Sequence, residues 1–180
     1  VLTSSAADTG EAPTTGPLTF STASWDTPQT VTVTGVDDNI IDGTIASTVT
    51  IAVDDANSND DFDSVDDQTV SATTSDDDVA GFTIVESDGS TGVDESGTTD
   101  TFTIVLNAQP TDDVVVLVTD SNDEGEATIS GDVTFTSADW NTPQTVTVPG
   151  VDDNIVDGDQ ISTITISVVD LISDCHLNHT

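Results

Sequence analysis

The sequence predicts an all-β chain, built of antiparallel β-sandwich modules in tandem, each incomplete within its 180 residues. Three observations carry that expectation. Apolar residues alternate with threonine at a period of two, clusters of Gly, Pro, Asn and Asp punctuate those runs, and one long segment is spelled twice. The duplicated segment is WDTPQTVTVTGVDDNIIDG at 25–43 and WNTPQTVTVPGVDDNIVDG at 140–158, with sixteen of nineteen positions identical.

A constant offset of 115 sets Val1 against Val116, Phe20 against Phe135, Trp25 against Trp140 and Gly35 against Gly150. Residues 79–115 have no counterpart before Val1, and residues 56–78 have no clear counterpart after Asp170. A whole module therefore runs from Val79, through a segment like 116–170, to a tail like 56–78. The expected division is 1–78, a module lacking its first strands, and 79–180, a module lacking its last strand.

The strands follow in order. Residues from 79 onward supply two, the second containing TFTI at 101–104. VVVLV at 114–118 is a continuous apolar run, expected as a third strand covered on both faces. The fourth is 133–135; the fifth is 145–148, with 30–34 as its copy. The sixth is 163–168, with 48–53 as its copy, and 69–74 is the seventh. Seven short strands in about 115 residues is the count of an immunoglobulin-like fold. Trp25 and Trp140, each just before the Thr-Pro that opens a fifth strand, read as core plugs rather than a sugar-stacking pair.

Charge narrows the function. Thirty-five acidic residues and no Lys or Arg give a formal charge of −35, whose repulsion opposes compaction unless external cations offset it. Nucleic acid is excluded as a partner, because phosphate binding depends on Lys and Arg. Anionic membrane surfaces are disfavoured for the same reason, and no run approaches the roughly 20 apolar residues of a membrane span, so no membrane insertion is expected. Such acidity also suits a disordered chain; the ordered patterning of the 34% hydrophobic residues argues for a folded one. Cys175 is the single cysteine, which leaves no intrachain disulfide. No phosphate loop, nucleophile–base spacing or cationic oxyanion stabiliser supports catalysis, so no enzyme is expected.

TFTIVLNAQPTDDVVV, then VTFTSADWNTPQTVTVPGVDDNIVDGD, and the tail ending in TSDDD resemble the Calx-beta-related and immunoglobulin-like tandem repeats of very large bacterial surface and secreted proteins. The resemblance covers nearly the whole chain apart from 171–180. It implies an extracellular β-sandwich, often calcium-stabilised, serving as spacer or adhesive module without catalytic activity. The second module departs from that pattern by ending in LISDCHLNHT instead of a closing strand.

The candidate chemistry is acidic. Asp37, Asp38 and Asp42, with Asp152, Asp153, Asp157 and Asp159 in the second copy, occupy the turn between strands five and six. In an immunoglobulin-like topology that turn shares an end with the connection between strands one and two, which carries Glu86, Asp88, Asp94 and Glu95. The last strand finishes there too, at Asp76, Asp77 and Asp78. Converging carboxylates offer the oxygens that Ca2+ takes. The competing reading is solvated turns, which Asp and Asn favour on backbone grounds alone; the total lack of Lys and Arg favours calcium.

Each tip is split by the frame of the chain, and an incomplete sandwich exposes a pairing edge. Either the chain is a window of a longer array, or copies complete one another by strand addition and grow into a filament. The divergent tail after Asp170 favours assembly. Cys175, His176 and His179 are too irregularly spaced for a zinc site, Cys175 could instead cross-link subunits, and Asn178 opens a glycosylation sequon. The expected function is an extracellular or cell-surface structural module of bacterial origin, a fibre or stalk partnered by neighbouring copies of itself. The alternative is an adhesin segment recognising glycan or another cell surface.

Overall fold

The computed structural model describes residues 1–6, 10, 12–121, 125–156 and 158–169. Nine strands are present among them: β1 (Leu2–Ala6), β2 (Ile45–Val53), β3 (Gln68–Thr74), β4 (Phe82–Glu86), β5 (Thr99–Leu106), β6 (Val114–Asp120), β7 (Val133–Phe135), β8 (Gln144–Pro149) and β9 (Ile164–Val168). Three single-turn 3₁₀ segments accompany them, and the described residues contain no α-helix. The strands form three antiparallel sheets ordered β1-β2-β3, β4-β5-β8 and β7-β6-β9. The chain divides into two compact units, Val1–Asp77 and Asp78–Thr180.

In the second unit one apolar cluster joins two sheets. Phe102, Ile104 and Leu106 of β5 and Val146 and Val148 of β8 meet Val116 and Val118 of β6 and Val133 and Phe135 of β7. These residues alternate along each strand because successive strand side chains point to opposite faces. Burying each Phe or Val side chain contributes about 1.5–3 kcal/mol. Trp140 lies partly buried against this cluster, and its carbonyl accepts the Leu106 amide at 3.1 Å. The VVVLV run also alternates: Val116 and Val118 are buried while Val114, Val115 and Leu117 are half-buried, so its two faces are not equally covered as expected. The even-numbered face of β6 meets the apolar cluster.

The first unit holds a thinner interior. Ala12 and Val49 are its buried apolar side chains among the described residues, and buried Ser47 has no hydrogen-bond partner for its Oγ. The duplicated segment nevertheless repeats its local bonds. The Gln144 side chain donates to the Thr134 carbonyl at 2.7 Å, and Gln29 donates to Thr19 at 2.8 Å. The Ser130 amide donates to Thr147 at 2.9 Å, and Thr15 donates to Thr32 at 3.1 Å. One rung reverses direction. The Thr128 amide donates to Pro149, whereas in the first copy the Thr34 amide donates to Pro13. Proline lacks an N–H, so whichever residue of the pair is proline can only accept.

The first copy of the fifth strand corrects the expectation for 30–34. Only an isolated bridge between Thr14 and Val33 forms there, not a strand. In the second unit β8 is held by β5; among the described residues of the first unit no strand pairs with 30–34, and alternation without a partner does not make a strand. Trp25 is corrected on the same ground. It is 72% exposed instead of plugging a core, and Phe20 is 37% exposed where Phe135 is fully buried.

The offset also shifts at one place. β1 pairs Leu2 with Val53 and bridges Leu18, whereas β6 pairs Val116 with Val168 and with Val133. Leu2, not Val1, therefore takes the place of Val116 in β1. A one-residue slip exchanges the faces of a strand, so Leu2 holds in β1 the pairing position that Val116 holds in β6.

Candidate functional site

The connection between β4 and β5 is an ordered acidic loop organised by Asp100. Its carboxylate accepts the Ser87 hydroxyl, the Gly92 amide at 2.7 Å and the Thr101 amide at 2.7 Å. These bonds, led by Ser87, hold the Asp100 pKa below the usual value of 3.8. Asp94 closes a second small turn by accepting the Ser96 amide at 2.9 Å and the Ser96 hydroxyl, and the latter bond is the main cause of its lowered pKa. Glu86 accepts the Thr91 hydroxyl at 3.1 Å. Asp88 sits in this loop with φ of +52°, a left-handed conformation that Asp tolerates better than most residues.

Against this loop the chain brings β8 to its end at Gly150. A Cβ built there would stand 2.2 Å from the Asp94 carbonyl oxygen, so only glycine fits. At the equivalent Gly35 the nearest atom is a Thr74 methyl at an ordinary 3.5 Å.

The β4–β5 loop and the turn after β8 share one rim. A cleft of about 1300 Å3 opens between the two sheets of the second unit, with Glu86, Asp94, Glu95, Asp120, Glu126 and Asp159 around it. Its floor is apolar: Ile84, Val85, Phe102 and Val148 on one side, Ile164 and Ile166 on the other. Glu86, Asp94, Glu95 and Asp159, expected at one end, therefore border a common space. Asp152 and Asp153 do not line it. Asp153 caps its own turn by accepting the Ile155 amide at 2.6 Å, while Asp152 is exposed. Asp157 lies outside the described residues, as do Cys175, His176, Asn178 and His179.

In the first unit, Asp38 caps the Ile40 amide at 2.7 Å just as Asp153 caps Ile155. Asp76 accepts the Gly43 amide at 2.8 Å, which ties the residue after β3 to the turn holding Asp42. Asp37 borders a small pocket with Ala72–Ser75 on its other side. Asp37, Asp42 and Asp77 are exposed, and Asp78 opens the second unit. Among the described residues no three acidic, His or Cys side chains stand close enough to hold a metal ion together.

Asp100 was not among the sequence candidates. No local pattern marks it, because its partners Ser87 and Gly92 lie thirteen and eight residues upstream. No protein-family model, curated protein or solved structure matches the chain. Among the described residues no helix is long and apolar enough to cross a membrane.

Proposed function

We propose that the chain is a structural segment of an extracellular bacterial fibre or surface stalk, made of immunoglobulin-like sandwiches of the Calx-beta kind and without catalytic activity. The observation that carries this reading is the repeat itself. Both halves hold the same turn and rung bonds at corresponding positions, yet each shows a different face uncovered. Modules that bury their apolar faces only against neighbours belong to arrays. Two sheets joined by one core in the second unit support the sandwich.

Calcium is the cofactor this reading calls for. The carboxylates on the cleft rim are the hard oxygen donors that Ca2+ takes, and −35 charges without Lys or Arg need an external counter-charge. With no complete three-ligand group in the described residues, Glu86, Asp94, Glu95 and Asp159 would hold an ion only once further oxygens join them. Neighbouring modules are the source this reading assigns, through acidic tails like Asp76, Asp77 and Asp78.

Exposed Trp25 would suit a glycan-binding adhesin, the alternative function. Its counterpart Trp140 packs against a core, so a missing cover explains the exposure without a ligand. The test is thermal unfolding of the chain in millimolar calcium and in chelator, with the D94N/E95Q/D159N variant beside it. A calcium-dependent rise in Tm that the variant loses supports the reading; the same Tm in all conditions overturns the calcium part.

A further inference from the structure

We propose that the outer edge of β9 is an acceptor for one specific kind of strand: an extended segment of the β3 type, docking antiparallel in the register that β3 keeps with β2. This deepens the fibre reading above by naming the partner strand, and rests on it for biological context.

The internal repeat says what covers this edge. β2 and β9 are equivalent at an offset of 115, and β2 is central in its sheet, between β1 and β3, while β9 is terminal in the order β7-β6-β9. Three differences accompany the terminal place of β9 among the described residues. β2 runs nine residues but β9 only five, and the missing part, 160–163, corresponds to 45–48, which β3 pairs. Ser47 and Val49 are 2% and 1% exposed, while their equivalents Ser162 and Ile164 are only half-buried. The cleft opens where Ile164 and Ile166 meet the apolar residues Ile84 and Phe102 of the facing sheet.

Backbone direction fixes the register. The Ser121 amide donates to the Thr163 carbonyl and the Val169 amide to Val115, so the odd-numbered residues of this strand turn their polar groups toward β6. Ser162, Ile164 and Ile166 turn theirs outward, since the two edges of an antiparallel strand alternate. Val49 pairs with Val70 and Ile51 with Gln68 in the first unit, so Ile164 and Ile166 take those two partners in the second. The end of the docked strand is also prepared. Gly43, whose amide binds Asp76, has φ of +77°, and Gly158 has φ of +78°. A carboxylate two residues beyond the docked strand would meet the Gly158 amide.

The experiment uses the full chain and a synthetic peptide of residues 66–78, DDQTVSATTSDDD, in high salt so that acid–acid repulsion is screened whatever calcium does. Saturable binding is expected, with slowed hydrogen exchange at the Ile164 and Ile166 amides and unchanged exchange at Thr165. The Val70→Pro peptide, which lacks the central donor, should bind at least tenfold more weakly. No binding at millimolar peptide, equal binding of the proline peptide, or protection confined to β2 would overturn the proposal. Electron microscopy of the chain alone separates this from the fibre reading: filaments without peptide capture leave the fibre and remove this acceptor, while capture without filaments keeps the acceptor and removes the fibre.

Discussion

Gly150 and Gly35 occupy the same repeat position and face different surroundings. A methyl group at Gly150 would overlap the Asp94 carbonyl, an atom of backbone that cannot swing aside, while one at Gly35 would touch a Thr74 methyl at ordinary distance. Gly150→Ala should therefore destabilise the second unit by about 2 kcal/mol or more, and Gly35→Ala should change stability by less than about 0.5 kcal/mol. Chemical denaturation of the two variants checks this. Equal effects would show that the β4–β5 loop does not press on β8.

Asp94, Asp100 and Asp139 share one pH signature. Each has a pKa lowered from 3.8 by hydrogen bonds to its ionised form. A carboxyl whose folded pKa is depressed stabilises the fold above its unfolded pKa and loses that contribution as pH falls through the folded value. The contribution of these three groups should therefore shrink as pH drops below 3.8, against the stabilisation that protonating the many other carboxylates gives by relieving repulsion, so Asp100→Ala should lower Tm at neutral pH and by less along the acid limb. An Asp100→Ala protein with an unchanged acid limb would contradict the role assigned to it. Asp100 was invisible in the sequence because its partners come from a loop whose path depends on the fold.

Strands that find partners were legible from alternation; β3, β7, β8 and β9 lie within a residue or so of where the period placed them. Residues 30–34 show the limit of that signal. TVTVT specifies two faces but says nothing about whether a neighbour exists to bond the edges. The tryptophans teach the same lesson, since their local sequences match and their environments do not. Of the acidic candidates, Glu86, Asp94, Glu95 and Asp159 share a rim, while Asp38 and Asp153 spend an oxygen on their own turns, a choice sequence spacing could not reveal. The energetic consequence is asymmetric. Phe135→Ala removes a fully buried ring and should cost about 3–5 kcal/mol. Phe20→Ala, at the equivalent but 37% exposed site, should cost about 1 kcal/mol or less. Calorimetry that found the larger loss at Phe20 would mean the first unit packs quite differently.

At the scale of the whole molecule, charge dominates. With no Lys or Arg to form salt bridges, added salt has mainly repulsion to screen. About 0.5 M sodium chloride, which shortens the Debye length to about 4 Å, should therefore raise Tm by several degrees. A Tm lowered by salt would point to attractive pairs that the composition does not supply. Exposed apolar side chains in the first unit, the terminal place of β9 among the described residues and the acidic rim of the cleft are what the proposed fibre would use. Electron microscopy of the purified chain, in millimolar calcium and then in chelator, tests that most directly. Regular filaments that fray or dissolve when calcium is removed are expected; dispersed single-chain particles in both conditions would contradict the fibre proposal.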